Sequence, residues 1–190
     1  MSTPPNLGTN LVLVNKHYSL SPEYVPADLT VPRVRFIFEE ELPQRYLQTQ
    51  AAAALENSFN HAEQQGVILY AVSGYRSYQR QAEIFARNNS KSPDANRFSA
   101  RAGQSEHQTG LAMDITNGTL GELSQSFGTT QEGQWVKANA ARFGFIIRYP
   151  EDKEAVTGYA YEPWHIRYVG LKAARVIMDN NLTLEEYLGL

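Results

Sequence analysis

The chain has 190 residues, 42% of them hydrophobic and 19% charged, which describes one globular domain with a sizeable core. Its 17 basic and 20 acidic side chains leave a formal charge of −3, the wrong sign for a nucleic-acid binder or a polybasic membrane-surface protein. With no cysteine, disulfides, thiolate nucleophiles and thiolate metal sites are excluded, and any metal must rest on His, Asp or Glu.

Residues 1–10 are polar and carry Pro4 and Pro5, so they read as a flexible lead-in. They lack the basic start and apolar run of a signal peptide, and are equally consistent with a linker whose signal or anchor has been removed. Residues 11–190 are expected to form the single domain. Leu11–Val14 reads as a short buried strand or an extended arm, and Pro22, Pro26 and Pro32 predict an irregular wrap after it. Pro43 suits the first turn of a helix, and Tyr46, Leu47, Ala51, Ala54, Leu55, Phe59 and Ala62 carry helical spacing to Gln65, where Gly66 stops it.

Val67–Val72 has the length and branching of a strand. A helix is predicted from Tyr78 to about Asn88 with Ser77 as its cap, followed by a polar loop to Gly103. Leu111–Ile115 alternates like a strand, with Ala112 and Asp114 on one face. A helix over Gln131–Phe143, strands at Phe145–Arg148 and Trp164–Tyr168, and helices near Leu171–Asp179 and Leu184–Leu188 complete the chain. Thr183 with Glu186 predicts a capping box on the last helix. Mixed helices and short strands without regular alternation indicate an α+β fold.

Two of the four histidines stand in runs of unusual composition. Around His107 the chain reads Ser105-Glu-His-Gln-Thr-Gly-Leu-Ala-Met-Asp114. An aspartate among Leu111, Met113 and Ile115 is costly to bury unless it is neutralised. Either a metal shared with His107 or an ion pair with Arg76, Arg97, Arg101 or Arg148 would serve. Around His165 the chain reads Tyr161-Glu-Pro-Trp-His-Ile-Arg-Tyr168, and one helical turn would bring Glu162 beside His165. That pair suits a metal ligand with a neighbouring base; a Trp-His core pair with a surface glutamate is the alternative. His, Asp and His leave a fourth tetrahedral position open, as catalytic zinc requires, although oxygen and nitrogen donors admit other divalent ions. His17 and His61 read as solvated side chains.

Taken together, Ser73-Gly-Tyr-Arg-Ser77, Ser105-x-His107-x-x-Gly110-x-Ala-x-Asp114, Gly144-Phe-Ile-Ile-Arg-Tyr-Pro150 and Glu162-Pro-Trp-His165-x-Arg-Tyr-Val-Gly170 carry a resemblance. The chain resembles the VanY-type D,D-carboxypeptidases and their relatives, the LdcB-type L,D-carboxypeptidases and the bifunctional VanXY enzymes. The motifs cover nearly the whole chain in the family's order. The resemblance implies the hedgehog and D-Ala-D-Ala-peptidase fold, with a small, mostly antiparallel sheet flanked by helices and a zinc site at the sheet. It implies one zinc ion held by His107, Asp114 and His165. Glu162 becomes the general base and later acid, and Arg76 the group that polarises the scissile carbonyl. It places Ser105 and Gln81 at the substrate.

The implied substrate is a peptidoglycan stem peptide that loses its C-terminal D-alanine by D,D cleavage. L,D cleavage of a tetrapeptide and VanXY-like cleavage of the free dipeptide are the alternatives, and a non-catalytic zinc-stabilised binding module is a remote one. The implied location is extracytoplasmic, with a signal or anchor absent from this chain, and cytoplasmic only for a VanXY-like role. A monomer is expected, with no nucleic-acid partner.

Overall fold

Leu29–Thr30 (β1) and Leu47–Gln48 (β2) pair as a short antiparallel ladder. The Gln48 N–H also donates to the Gly110 carbonyl at 2.8 Å. That pairing divides the helix expected from Pro43 to Gln65: Pro43–Arg45 is a 3-10 turn and the helix proper, α1, is Thr49–Gln64. The reason is tertiary. The carbonyls of Gln44 and Tyr46 accept from the N–H groups of Gly74 and Tyr75, so this backbone is committed across the fold. α1 then buries Ala51, Leu55, Phe59 and Ala62 at the predicted spacing, with Ala52 buried beside them and Ala54 only half-buried.

The computed structural model describes residues 2–119 and 123–190. Its main sheet contains β3 (Tyr70–Ser73), β4 (Ala112–Thr116), β5 (Phe145–Tyr149) and β6 (Glu162–Tyr168). All pairings are antiparallel and the strand order is β3-β4-β6-β5. The helices are α2 (Tyr78–Lys91), α3 (Gln131–Asn139), α4 (Glu154–Thr157), α5 (Leu171–Asp179) and α6 (Leu184–Leu188). Ser77 caps α2 by accepting from the Arg80 N–H, and Thr183 and Glu186 form the capping box of α6. The architecture is the α+β arrangement expected from the sequence.

Strand alternation sorts the sheet into a dry face and a chemical one. Met113, Ile115, Phe145, Ile147 and Ile166 join α1 and α3 in the larger hydrophobic cluster. Each such side chain, fully buried, contributes about 1.5–3 kcal/mol. Asp114, His165, Arg167 and Arg148 occupy the alternate positions and are all buried. A second cluster seats α5 and α6 on Leu13, Ile146 and Val169.

The lead-in does not hang free. Ser2 bridges Tyr18, Pro4 is buried, and the carbonyls of Asn10 and Val12 accept from Arg167 Nη2 at 2.9 and 2.8 Å. A buried guanidinium needs those acceptors, which is why the arm docks. Leu11–Val14 is an extended arm without a ladder partner. No helix among the described residues is long and apolar enough to cross a membrane.

Candidate metal centre and substrate cleft

Register creates the centre. Asp114 of β4 lies directly opposite His165 of β6, and its Oδ1 is 2.9 Å from His165 Nδ1. His107 arrives from a 3-10 turn, Glu106–Thr109, that ends at Gly110 with φ +68°. Its Nε2 stands 3.3 Å from Asp114 Oδ2, and the two imidazoles meet edge to face at 4.9 Å. One donor atom from each residue lies within 4.8 Å of the others, and all three residues are buried.

The outer nitrogens are also engaged. His107 Nδ1 is 2.8 Å from the Gly74 carbonyl, so it carries the proton and leaves Nε2 free to coordinate. Gly74 is tightly enclosed: a Cβ there would stand 2.5 Å from the Tyr46 carbonyl oxygen. The donor set, two imidazoles and one carboxylate without sulfur, fits zinc with an open position. Among the described residues no arginine lies within ion-pair distance of Asp114. Arg97 pairs with Glu154, Arg148 with Glu106 and Glu185, and Arg76 with Ser73 and Gln81.

Glu162 reaches the centre differently from the expected helical turn, because it lies with His165 on β6. In a regular strand, residues three apart point to opposite faces. Here the pairing slips: Ile147 opposes Ile166 while Tyr149 opposes Glu162. The bulge brings Glu162 Oε2 to 4.0 Å from His165 Nδ1.

Arg76 follows β3 and is fixed by two hydrogen bonds, Nη1 to Gln81 Oε1 at 2.8 Å and Nη2 to Ser73 Oγ at 3.0 Å. Gln81 lines the cleft, yet its amide is spent on protein: its Nε2 donates to the Ala100 carbonyl at 2.5 Å. It orients Arg76 rather than facing outward. Ser105, buried at the N-terminal edge of the His107 turn, lines the same cleft.

The cleft measures about 510 Å³ and takes in Arg76, Ser105, His107, Asp114, Glu162, Trp164 and His165. Burial would raise the Asp114 carboxyl, but His107 and His165 hold it well below the usual range. Burial opposes charge on His165, yet Asp114 and Glu106 lift it to about 9. His107 is lowered by burial, against the pull of Asp114. Glu162 is pushed up to about 8 by burial, which outweighs His165 and Arg76. A carboxyl poised so far above its ordinary value in a cleft suits acid and base work.

Sequence reading passed over three groups here. Tyr149 packs its ring 5.0 Å from that of His165. Tyr159 lines the cleft with a buried hydroxyl that no group among the described residues bonds. Glu106, between Ser105 and His107, is fully buried and anchors two arginines. The available signal was a glutamate beside a candidate ligand in a chain with Arg148 and Arg167 inside apolar strands.

Residues 44–171 match the VanY family, described as D-alanyl-D-alanine carboxypeptidase. The chain is 53% identical over 190 residues to the putative carboxypeptidase YodJ of Bacillus subtilis, covering 98% of this chain and 68% of that protein. It spans 57% and 52% of the D-alanyl-D-alanine carboxypeptidases of Enterococcus faecium and Enterococcus faecalis. Among solved structures, the LdcB LD-carboxypeptidase superimposes with a TM-score of 0.89 at 54% identity, over 93% of this chain and 84% of that one. A mutant of the vancomycin-resistance D,D-pentapeptidase VanY, solved in complex with Zn(II), gives 0.77 at 33% identity over 94% and 98%.

Proposed function

Because the chain belongs to the VanY family of D-alanyl-D-alanine carboxypeptidases, we propose that it is a zinc-dependent carboxypeptidase releasing D-alanine from the C-terminus of peptidoglycan stem peptides. The observation that carries this reading is the convergence of His107, Asp114 and His165 in one buried cluster, beside Glu162 and Arg76 in the same cleft. The VanY relative solved with Zn(II) supports the choice of metal. Zinc held by His107 Nε2, Asp114 and His165 Nδ1 would supply Lewis acidity and lower the pKa of a water to about 7.

The chain's own residues would do the rest. Glu162 accepts the proton of the attacking water and returns it to the leaving amine. Arg76, held by Ser73 and Gln81, presents its guanidinium to the carbonyl oxygen as negative charge develops there, without reorganising at that moment. Ser105 and the hydroxyl of Tyr159, unbonded among the described residues, offer hydrogen bonds to the peptide. Trp164 and Tyr149 exclude water from the cleft floor. Action on assembled wall peptides implies a place outside the cytoplasmic membrane, and the residues assigned to the reaction all come from one chain, so this reading needs no second copy.

The scissile bond has two candidates. D,D cleavage of a pentapeptide follows from the family description and from the enterococcal relatives. The TM-score of 0.89 to the LdcB LD-carboxypeptidase favours L,D cleavage of a tetrapeptide as the second reading. Mass spectrometry of the zinc-loaded protein with penta- and tetrapeptide separately should show loss of one D-alanine from the pentapeptide. Cleavage of the tetrapeptide alone would establish the L,D reading, and inertness towards both would remove the activity.

A further inference from the structure

We propose that Glu106 is a positioning residue for the metal centre: its Oε2 accepts the Nε2 proton of His165 and holds the ring with Nδ1 turned to the metal. The proposal rests on the zinc reading above and adds to it a residue that touches neither metal nor substrate.

The geometry is asymmetric in a telling way. His165 Nδ1 faces Asp114 and Glu162, so a metal on that side requires the proton on Nε2. Nε2 lies 3.4 Å from Glu106 Oε2. The other oxygen of Glu106 is occupied, since Oε1 accepts from Arg148 Nε at 2.6 Å and from Arg167 Nη1. The carboxylate is thus clamped by two fully buried guanidiniums and presents its remaining oxygen to the imidazole. His107 is anchored in the same manner through the Gly74 carbonyl. Each histidine of the cluster therefore has its outer nitrogen tied, one to backbone and one to a charged side chain. Such outer partners fix tautomer and orientation, and their loss weakens metal affinity about 10- to 100-fold.

The clamp also makes the glutamine variant informative. In Glu106→Gln, Arg148 and Arg167 claim the amide oxygen, leaving an NH2 to face the N–H of His165, where donor meets donor. Glu185→Gln is the control. Glu185 holds the other side of Arg148 at 2.9 and 2.7 Å but does not touch His165. A merely structural role for Glu106 predicts that both variants disturb the centre alike.

The test is zinc affinity by chelator competition on the purified protein and both variants, with circular dichroism to verify folding. Cobalt-substituted absorption reads the ligand geometry independently of turnover. Glu106→Gln should lose about 10- to 100-fold in zinc affinity and shift the cobalt bands, while Glu185→Gln keeps both. Equal affinity in Glu106→Gln and the parent, or an equal loss in both variants, would overturn the assignment. Should Glu106→Gln fail to fold, the double variant Glu106→Gln, Arg167→Met removes the surplus cation and is judged by the same criterion. Failure of the parent protein to bind zinc would instead strike the metal reading itself, and this proposal with it.

Discussion

Burial pushes the Glu162 carboxyl up to about 8, because it disfavours the anion more strongly than His165 and Arg76 favour it. A bound dication would reverse that balance and free the carboxylate to act as base. Glu162→Gln keeps the size and the polar contacts but cannot take a proton, so turnover should fall about 10²- to 10⁴-fold with zinc content unchanged. Steady-state kinetics with elemental analysis checks this, and normal turnover would remove Glu162 from the reaction. His165 supplies a second expectation. Its folded pKa is raised to about 9, so it carries a proton at neutral pH that zinc binding at Nδ1 must displace. Apparent zinc affinity should accordingly rise with pH through the neutral range and level off near 9, by about tenfold per unit for each proton released, the one on His165 and the one that the metal frees from Glu162. A pH series of chelator competitions reads the slope, and a flat line would show that His165 is not a ligand.

At the scale of elements, the turn that carries His107 depends on Gly110. Its φ of +68° is left-handed, and a Cβ there would stand 2.8 Å from Leu29 Cδ2. Gly189, also left-handed with φ +71°, has nothing within 4 Å of a Cβ and carries the same backbone strain without the crowding. Gly110→Ala should lose about 1–3 kcal/mol in urea unfolding, more than Gly189→Ala. Equal losses would mean that the Leu29 contact relaxes freely. Elements with local signals were legible in the sequence: the Ser77 cap of α2, the Thr183–Glu186 box of α6 and the alternation of β4 all stand as expected. The start of α1 was not legible. Leu47 has helical spacing, but β1 pairing and the Gly110 carbonyl claim its neighbourhood instead.

Across the whole molecule, one buried ionic chain links the site to both termini. Arg148 joins Glu106 to Glu185 of α6; Glu185 accepts from Asn15, and Arg167 holds the arm at Asn10 and Val12. Two carboxylates and two guanidiniums balance, which is how these charges tolerate burial. Arg148→Met would leave Glu185 without its cation and Glu106 with one fewer. It should therefore destabilise the fold by about 3–5 kcal/mol in equilibrium urea unfolding. A loss below about 1 kcal/mol would place the pair with exposed salt bridges instead.

The sequence by itself determined the residue types of the centre. With no cysteine, an aspartate two residues after a small alanine in an apolar strand, and His-bearing motifs on either side, it pointed to His107, Asp114, His165 and Glu162, and the resemblance to the VanY-type enzymes added Arg76. These signals are local, carried by spacing within a few residues. Only tertiary structure decided how they meet. Asp114 finds His165 across a ladder 51 residues long in sequence separation, and Glu162 reaches it through a bulge rather than a helical turn. Gln81 turns to Arg76, and Glu106 to His165, through contacts that no periodicity encodes. The physical reason is that alternation tells which face a side chain takes, whereas register and long-range hydrogen bonding decide what stands opposite it.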